Sequence, residues 1–441
     1  MHKALVIAIG RTVQVFARLK GGGGSAFPGL VVEKIAPHFA VDILSTLPLG
    51  VVVISGTNGK TTTTKIVTEL LESQGLRVFT NATGSNYMRG VIAALLEKVS
   101  PGGTLDADIA VLELDEAHGV PFARQIPPRF SLLLNVMRDQ LDRFGEIDHT
   151  AELLAEIALC TTDTIVVNRE DSRLATLCEV FGKKVQWFGL APHLRALFPQ
   201  DDELYGIDET AAHNESFEPG LPASVLLTEV QGSQACFELD GAPFPANLSL
   251  KGVYNAYNAA AALALARVIL ARTDEAEDKE GSTTRDDELL KTLSSVKSAF
   301  GRGESFTIND REIELLLVKN PGGFKLALES FDPQGQSIMI AINDDYRDGR
   351  DMSWLYDVDF STLRETGVSM VSGVRAWDMA LRLRYDEVPY SAVNTDVIAA
   401  LDSMLADERT GKTPLRLYCT YTAMVKVHQK LSSYAHLKRV I

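Results

Sequence analysis

The sequence VVVISGTNGKTTTTKIV, residues 51–67, decides how the first half of the chain folds. Its first four residues, Val51–Ile54, form an apolar run with the length of a buried strand. A helical pattern starts at Lys60 and continues to Gln74, with Gly75 as the stop. The apolar residues of this helix that share one face are Ile66, Val67, Leu70 and Leu71. The stretch therefore predicts a strand, a tight turn and an amphipathic helix.

The turn between this strand and helix has the composition of a phosphate-binding loop. A glycine-rich turn that opens onto a helix N-terminus offers backbone N–H groups and the positive end of the helix dipole to phosphate oxygens. Lys60 can reach the terminal phosphates of ATP, and the hydroxyl of Thr61 can join a Mg²⁺ shell. The two glycines stand closer together than in the common loop, but the strand before and the helix after support the same function. The predicted ATP-binding residues are Gly56, Thr57, Asn58, Gly59, Lys60, Thr61 and Thr62.

The length and charge of the chain restrict its domain number and its partners. A chain of 441 residues is too long for one compact core, so we expect two domains, or two domains and a small terminal segment. The net charge of −15 argues against nonspecific nucleic-acid binding. The four cysteines include no C-x-x-C pair, which fits a reducing compartment and gives no zinc-ribbon spacing. We therefore expect a cytoplasmic protein that does not bind nucleic acid.

Short apolar runs alternate with amphipathic stretches through the first half of the chain, which predicts an α/β fold with a doubly wound, largely parallel sheet. Two segments interrupt the alternation: residues 193–232 are predicted to be an irregular insertion, and residues 272–287 an exposed loop. The alternation begins again after Phe300 and predicts a smaller α/β domain there. The predicted divisions are an N-terminal helical segment over 1–46, an ATP-binding domain over 47–297 and a C-terminal domain over 298–441.

The N-terminus contains an apolar run, Leu5–Ile9, that is too short to span a membrane. Arg18, Lys20 and the glycines of 21–24 indicate a short helix followed by a flexible connection. Two interpretations of this helix stay open. It either packs on its own domain or contacts a membrane surface.

Acidic side chains follow the apolar strand predicted over Ile109–Leu114. Glu113 stands at the end of the strand, where a carboxylate that faces the crevice can hold Mg²⁺. Asp115 and Glu116 lie just beyond it, and either a site or a solvated loop explains them. A second polar cluster, residues 135–145, follows the next buried strand, and such a cluster is better explained by a site than by solubility.

Six motifs, which span residues 50–325 in order, resemble those of the Mur ligase family. They are GTNGKTT (56–62), Glu113, NVMRDQLDRFG (135–145), GVYNAYN (252–258), GRGE (301–304) and KNP (319–321). In that family a central domain binds ATP, and the ligase activates a substrate carboxylate as an acyl phosphate that an amine attacks. The resemblance implies that Lys60 and Thr61 contact phosphate and Mg²⁺, and that Glu113 holds Mg²⁺. It also implies that Asn255 and Asn258 contact the adenine side and that Arg302 approaches the phosphates.

Departures from the common pattern indicate a subfamily. Gln140 and Tyr254 replace histidines, and residues 316–321 read LLVKNP. These variants, together with NDDYRDGRDMSW (343–354) and SGVRA (372–376), resemble MurT-type proteins, the synthetase subunits of two-subunit glutamine amidotransferases. The likeness then covers nearly the whole chain.

This resemblance implies an amidation. ATP would activate the α-carboxylate of D-glutamate in the lipid II stem peptide, and ammonia would displace phosphate to leave D-isoglutamine. The ammonia would come from a GatD-type glutaminase partner in a heterodimer, and Asp351 would reach across the interface to orient the partner's catalytic histidine. The candidate catalytic residues are Lys60, Arg302 and Asp351. Membrane contact would be at most peripheral, through the substrate.

Two further expectations concern zinc and the acceptor substrate. Many MurT-type proteins carry a four-cysteine zinc ribbon, but residues 193–232 contain no cysteine, so we expect no structural zinc. Asn86, on the loop after the second predicted strand, is a candidate muropeptide contact. Two alternatives to amidation stay open: a conventional Mur or folylpolyglutamate-type ligase that adds an amino acid, and a scaffold that binds ATP without turnover.

Overall fold

The structure is a computed structural model of the chain. It describes residues 3–19, 26–81, 86–138, 147–198, 221–277, 283–298, 301–308, 310–406 and 413–434. Over these residues the chain forms two sheets, one of nine strands and one of six, each covered by helices. The α/β class predicted from the sequence is confirmed, with a larger doubly wound sheet followed by a smaller α/β sheet.

The first sheet places β1 at its centre and has the order β2-β3-β1-β4-β5-β6-β7-β8-β9. Its strands are β1 (Val51–Ser55), β2 (Val78–Thr80), β3 (Ile109–Glu113), β4 (Phe130–Leu133), β5 (Thr164–Asn168), β6 (Val185–Leu190), β7 (Ala223–Gln231), β8 (Gln234–Leu239) and β9 (Ala242–Asn247). The pairing is parallel from β2 to β7 and antiparallel beyond β7. The strand order reverses beside β1, so the carboxyl ends of β1, β3 and β4 surround a crevice of the kind that binds ligands in open α/β sheets.

Helices cover both faces of this sheet. They are α1 (Lys3–Leu19), α2 (Ala26–Ile35), α3 (Phe39–Leu44), α4 (Lys60–Ser73), α5 (Met88–Lys98), α6 (Glu116–Gln125), α7 (Ile147–Cys160), α8 (Ser172–Glu179), α9 (Val253–Glu277) and α10 (Thr283–Ser295). The N-terminal helices α1 to α3 pack on α5, and their buried side chains join one of the two cores of this domain. The helix predicted to be short is therefore a 17-residue helix seated on the domain.

The long helix α9 is the central helix of the other core. Among the residues that the structure describes, it alone is long and apolar enough to cross a membrane, and 67% of its apolar window is buried inside the fold. It packs against α4 and against the strands β5, β6 and β7. Alanines at 259–262, 264 and 266 permit this close approach of helix and sheet. The burial identifies α9 as a core helix of an α/β domain.

The exposed loop predicted over residues 272–287 is wrong where the structure describes it. Helix α9 continues through this segment to Glu277, and α10 begins at Thr283. The charges are paired across the two helices: Arg267 lies 2.9 Å from Asp286, and Arg285 pairs with Asp274. These pairs are partly buried and hold the two helices together. The polar composition that indicates a loop therefore comes from ion pairs between helices.

The irregular insertion predicted over residues 193–232 is also wrong in its described parts. Residues Pro192–Leu197 form a short 3-10 helix, and Ala223–Gln231 is strand β7 of the main sheet. Residues 199–220 lie outside the described residues. Buried and half-buried side chains alternate over residues 225–228 of β7. The sequence around this strand is acidic and rich in glycine and proline, which is why its composition predicts an irregular segment.

The C-terminal sheet has the order β10-β11-β15-β12-β13-β14, and every pair except β10 with β11 is parallel. Its strands are β10 (Arg302–Ile308), β11 (Arg311–Leu317), β12 (Ser337–Ala341), β13 (Met370–Ser372), β14 (Val393–Asn394) and β15 (Leu415–Cys419). Its helices are α11 (Pro321–Ser330), α12 (Ala376–Tyr385), α13 (Val397–Ala406) and α14 (Tyr421–Leu431). The boundaries at 46/47 and 297/298 stay predictions, and the change from one sheet to the other occurs between Asn247 and Arg302.

Gly373 in this domain lies where a larger residue is expected to destabilise the fold. Gly373, between β13 and α12, has φ of +93°, and a Cβ there would lie 2.2 Å from the carbonyl oxygen of Ile342. Gly335 also has a positive φ, +68°, but a Cβ there would meet nothing within 4 Å. We expect Gly373→Ala to lower the free energy of unfolding by at least about 3 kcal/mol, and Gly335→Ala by only about 1 kcal/mol. Urea denaturation of both variants measures the difference, and equal effects would show that the backbone at 373 relaxes freely.

Candidate functional site

The phosphate-binding loop predicted from the sequence lies at the carboxyl end of β1 and opens directly onto α4. Gly59 caps α4 with φ of +89° and provides no side chain to cap the first-turn N–H groups. A Cβ at this position would lie 2.4 Å from the side-chain oxygen of Asn258, which packs directly against the loop. Only glycine therefore fits here, and the helix N-terminus is left open to an anion.

Asn135, the first residue of the polar cluster after β4, holds the loop in shape. Its backbone oxygen accepts a hydrogen bond from Thr57 N (2.9 Å), and its side-chain oxygen accepts one from Asn58 N (2.8 Å). Its Nδ2 donates to the backbone oxygen of Asn58 at 3.1 Å. The hydroxyl of Thr57 also accepts a hydrogen bond from Met137 N at 3.0 Å. Gln140 and the rest of the cluster, residues 139–145, lie outside the described residues.

Lys60 is buried beneath the loop, with only 8% of its surface exposed. Its Nζ donates to the backbone oxygen of Gly56 and lies 3.4 Å from Oε1 of Glu116, which is 4% exposed. The question of whether Glu116 is a solvated loop charge is thereby settled, because it is the buried counter-ion of Lys60. This ion pair fixes the position of the ammonium beneath the loop.

Thr61 and Glu113 meet at the edge of the crevice. The hydroxyl of Thr61 donates to Oε1 of Glu113 at 2.9 Å. Asn81 fixes the backbone of Glu113 from the neighbouring strand end by accepting from Glu113 N (2.9 Å) and donating to its carbonyl (2.8 Å). One hydroxyl and one carboxylate oxygen at this position are hard ligands of the kind that Mg²⁺ takes while keeping water and phosphate oxygens.

Asp115 and Asn86 lie at the same edge. The backbone N–H of Asp115 donates to the carbonyl of Asn86 at 3.0 Å, which places Asn86 beside the carboxyl end of β3. A contact between Asn86 and a muropeptide stays a prediction. Burial alone would raise the pKa of Asp115, but the contact from His118 at 3.6 Å and the charge of Lys60 lower it below its usual value. Asp115 is therefore an ionised cap at the N-terminus of α6.

A cavity extends from the loop to the C-terminal domain. Its lining includes Asn58, Gly59, Thr62, Asn135, Asn168, Asp171, Phe198, Tyr254, Tyr257, Asn258, Arg302 and Lys319. Two of the three residues implied to contact ATP on this side, Asn258 and Arg302, line the cavity. The third, Asn255, is fully buried behind them and donates to the backbone oxygen of Lys251 at 2.6 Å. Asn255 thus supports Asn258, whose Nδ2 lies 3.3 Å from Asn255 Oδ1.

The apolar end of the cavity contains aromatic residues that the sequence argument did not identify. The rings of Phe198 and Tyr257 lie 5.1 Å apart, and the Tyr257 hydroxyl donates to the side-chain oxygen of Asn168. Burial raises the pKa of Tyr257 well above its ordinary value, so its hydroxyl is a neutral donor. Aromatic faces beside amide groups suit a purine base. The motif GVYNAYN contains Tyr257, but the resemblance attached roles only to its asparagines.

Asp171 is a second residue that the sequence did not single out. It is buried, and it accepts hydrogen bonds from Val136 N (2.7 Å) and from Leu174 N (3.0 Å). Burial raises its pKa to about 6 despite these two hydrogen bonds. Asp171 therefore links the cap of α8 to the backbone that follows Asn135, and holds the cavity wall in place.

The C-terminal domain reaches the loop through the KNP motif. Lys319 Nζ donates to the backbone oxygen of Thr57 at 3.0 Å, and Asn320 Nδ2 donates to Asn58 Oδ1 at 3.1 Å. Asn320 also caps α11, since its side chain accepts from Gly323 N at 2.7 Å. The sequence shows both residues as part of the KNP motif. It does not show their contacts to the loop, because these join residues that are more than 250 positions apart.

Asp351 lies on another surface of the C-terminal domain and is exposed. Its Oδ1 accepts a hydrogen bond from Ser353 N at 2.9 Å, and hydrogen bonding by Ser353 lowers the pKa of Asp351. The loop that carries it is anchored by buried Asp348, which accepts from Thr422 N at 2.7 Å and from Asp345 N at 3.1 Å. The structure thus presents an ionised carboxylate on a firmly held loop.

An exposed apolar strip adjoins this loop, and we name it the α12 strip. It consists of Trp377, Leu381 and Tyr385, one helical turn apart, which are exposed by 66%, 48% and 69%. The strip is continuous with the loop, because Tyr356, just beyond Asp351, places its ring 6.2 Å from that of Tyr385. Arg375 at the start of α12 pairs with Asp344 of the loop at 2.8 Å.

Thr61 and Glu113 stay the predicted Mg²⁺ ligands. Among the described residues, no group of three or more His, Cys, Asp or Glu side chains is placed to hold a metal ion. The absence of a structural zinc stays a prediction, because the segment where a ribbon was sought lies mostly outside these residues.

Comparison with known proteins gives the family. Residues 54–266 match the model of the Mur ligase middle domain, and residues 317–424 match that of the MurT ligase C-terminal domain. The chain is 30% identical to the lipid II isoglutaminyl synthase (glutamine-hydrolyzing) subunit MurT of Streptococcus pneumoniae, over 95% of this chain and 94% of that protein.

Solved structures agree on the fold. MurF from Acinetobacter baumannii aligns with a TM-score of 0.67 at 17% identity, over 93% of this chain and 81% of that one. MurF ligase from Thermotoga maritima, solved in complex with ADP, aligns with a TM-score of 0.63 at 18% identity, over 90% and 81%. Both likenesses concern the fold alone, whereas the sequence matches extend over both domains. The chain is therefore a member of the MurT family of Mur ligase-like proteins.

Proposed function

We propose that this chain is the ATP-dependent synthetase subunit of a glutamine amidotransferase that converts D-glutamate in the lipid II stem peptide to D-isoglutamine. One observation carries the proposal: a single chain combines a phosphate loop, with Lys60, Thr61 and Glu113 converging on it, and a MurT-type C-terminal domain with Asp351 exposed. The relative in Streptococcus pneumoniae is named as a subunit of a glutamine-hydrolyzing lipid II isoglutaminyl synthase.

The residues of the crevice fit ATP and Mg²⁺. The uncapped N-terminus of α4 and buried Lys60 would hold the phosphates, and Thr61 with Glu113 would hold Mg²⁺. Phe198, Tyr257 and Asn258 would surround the base. When bound, ATP supplies the phosphoryl group, and its Mg²⁺ neutralises the charge that develops during transfer.

The chemistry balances as two substitutions. An oxygen of the substrate α-carboxylate attacks the terminal phosphorus of ATP, ADP leaves, and an acyl phosphate forms. The nitrogen of ammonia then attacks the carbonyl carbon, the bond from that carbon to the phosphate oxygen breaks, and phosphate leaves with the electron pair. The nitrogen gives up one proton, to the departing phosphate or to water, and the amide results. Lys60 and Arg302 stabilise negative charge at the phosphoryl group, and Asn86 is proposed to contact the muropeptide.

The ammonia is proposed to come from a GatD-type glutaminase that docks over Asp351 and the α12 strip. The strip is apolar, exposed and continuous with the loop that carries the ionised carboxylate, as expected of a protein interface with a functional residue in it. Cys178 and Cys419 are poor nucleophiles, because both are buried and burial raises the pKa of Cys178 to about 12. A separate subunit for glutamine hydrolysis is consistent with this chemistry.

The substrate also sets the proposed location. Lipid II carries its stem peptide on a membrane-bound lipid, so we place the protein in the cytoplasm, at the inner face of the plasma membrane.

Reconstitution tests the proposed function. The purified chain, a GatD-type glutaminase, glutamine, ATP, Mg²⁺ and lipid II are mixed, and mass spectrometry follows the stem peptide. We expect one carboxylate per stem peptide to become an amide, with one ATP consumed per amide. Incorporation of an amino acid in place of ammonia would instead identify a conventional ligase, and ATP binding without hydrolysis would identify a scaffold.

Glu113→Gln tests the proposed Mg²⁺ ligand. The substitution keeps an oxygen that can accept the Thr61 hydrogen bond but removes the negative charge that Mg²⁺ requires. We expect the Mg²⁺ concentration for half-maximal ATP hydrolysis to rise by at least about tenfold. Glu97→Gln, at an exposed position of α5, is the matched control and should leave the Mg²⁺ dependence unchanged. If both variants retain the original dependence, Glu113 is not a ligand.

A further inference from the structure

The outward face of α1 is apolar along its length. Leu5, Val15, Phe16 and Leu19 are exposed by 52%, 55%, 60% and 77%, and Phe27 of α2 is exposed by 56%. Spacings of three and four residues place Leu5, Ala8, Thr12 and Leu19 on one side of the helix. Val15 and Phe16 lie at the two edges of the same side. We name the five exposed apolar residues the α1 surface. Burial of this much apolar area would be strongly favourable.

The opposite face of α1 is fixed to the domain. Val6 and Ile7 are buried in the core. Arg11 donates from Nε to the backbone oxygen of Leu96 at 2.8 Å, and Gln14 donates from Nε2 to that of Ala93 at 3.0 Å. These contacts hold α1 against α5. The exposure of the α1 surface is therefore a property of the folded domain.

The first 32 residues of the sequence carry a charge opposite in sign to that of the whole chain. Residues 1–32 contain four basic residues, Lys3, Arg11, Arg18 and Lys20, and no Asp or Glu, although the chain has a net charge of −15. The first acid, Glu33, is paired with Arg89 at 2.7 Å. An apolar helix face accompanied by basic residues is the pattern of helices that lie in the interface of anionic membranes.

We propose that the α1 surface docks on the surface of an anionic phospholipid bilayer. The apolar side chains would enter the boundary between headgroups and acyl chains. The positive charge of this segment would attract the anionic headgroups, except for Arg11, which is bound to the backbone of α5. The Arg89–Glu33 pair joins α2 to the first turn of α5, which begins just after Asn86. Docking would thus place the acceptor side of the crevice near the bilayer. This biological role rests on the proposed function, since a lipid-linked substrate is presented from a membrane.

Vesicle sedimentation tests the proposal with the full chain. Vesicles of phosphatidylglycerol and phosphatidylethanolamine, free of muropeptide and nucleotide, are compared with vesicles of phosphatidylcholine alone. We expect binding to the anionic vesicles to be at least about tenfold tighter, and to weaken as salt screens the basic residues. Phe16→Ser/Leu19→Ser should reduce this binding by at least about tenfold, because it removes two of the inserted side chains.

The matched control is Leu159→Ser/Val180→Ser, which changes two apolar residues exposed by 70% and 81% elsewhere on the same domain. It should bind vesicles as the unchanged chain does. Equal binding by the α1 double variant, or no binding by the unchanged chain, overturns the proposal. Self-association that the α1 double variant abolishes, without vesicle binding, assigns the surface to a second copy.

The result is independent of the proposed function, because the vesicles carry no substrate. A chain that docks but does not amidate lipid II retains the membrane surface and loses the proposed function. Conversely, amidation of lipid II by a chain that ignores anionic vesicles refutes only the docking.

Discussion

Lys60→Ala is expected to lower ATP turnover by roughly 10³-fold, in the chain alone and in the reconstituted amidation. The reason is the position of the ammonium. It lies buried under the loop, donates to the backbone oxygen of Gly56, and belongs to the first residue of α4. Water cannot replace it well, because a fixed charge in a dry site needs no reorganisation during phosphoryl transfer.

The same burial creates a second effect that must be separated from catalysis. Removal of Lys60 leaves Glu116 buried without its counter-ion, which costs about 3 kcal/mol or more of stability. The double variant Lys60→Met/Glu116→Gln removes both charges and keeps similar volumes. We expect it to regain most of the lost stability in urea denaturation, but not the lost turnover.

Lys291→Ala is the control for the loss of a lysine in general, since Lys291 is exposed on α10, away from the crevice. It should hydrolyse ATP at the original rate. Turnover by Lys60→Ala within about tenfold of the original would contradict a phosphate-contacting role, because loss of one fixed donor to a developing charge typically costs a hundredfold or more.

The contrast between local and long-range signals explains which parts of the site could be predicted. The loop of residues 56–62, its helix and Glu113 follow from short stretches whose spacing determines their structure. Lys319 and Asn320 were seen only as a motif, because their partners Thr57 and Asn58 lie in the other domain. No periodicity in a sequence encodes such a contact. The same limit applies to Asp171, whose hydrogen bond to Val136 spans 35 residues.

Errors in the predicted fold have a related origin. The polar composition of residues 272–277 and 283–287 predicts a loop, yet these residues are helical. The partners that neutralise them lie on the facing helix or on the main domain, as in Arg285 with Asp274 and Arg272 with Asp163. A charged composition predicts solvent exposure only where the charged side chains have no ion-pair partners. Whether they have partners depends on the tertiary fold.

Asp351→Asn is expected to separate the two half-reactions of the proposed complex. Amidation supported by glutamine should fall by about 10² to 10⁴-fold, as when the acid that orients a catalytic histidine is lost. Amidation supported by added ammonium salt should change by less than about twofold. The reason is geometric, since Asp351 is exposed on the C-terminal domain and has no part in the lining of the ATP cavity.

Asp359→Asn is a close structural control. Like Asp351, Asp359 is an exposed carboxylate whose Oδ1 accepts a hydrogen bond from the backbone two residues on, here Ser361 N at 2.8 Å. The two substitutions therefore remove the same charge and perturb the same kind of turn. If Asp351 acts on the partner's histidine, only Asp351→Asn should lose glutamine-dependent amidation.

Two further measurements test whether Asp351 acts in the active site of the glutaminase. Sedimentation velocity should show that Asp351→Asn still forms the complex with the glutaminase, because the α12 strip supplies most of the proposed apolar contact. Glutaminase activity of the complex should fall together with glutamine-dependent amidation, since the lost step precedes ammonia release. Undiminished amidation from glutamine would instead place the carboxylate outside the partner's active site. An equal loss with glutamine and with ammonium would place Asp351 in the synthetase reaction.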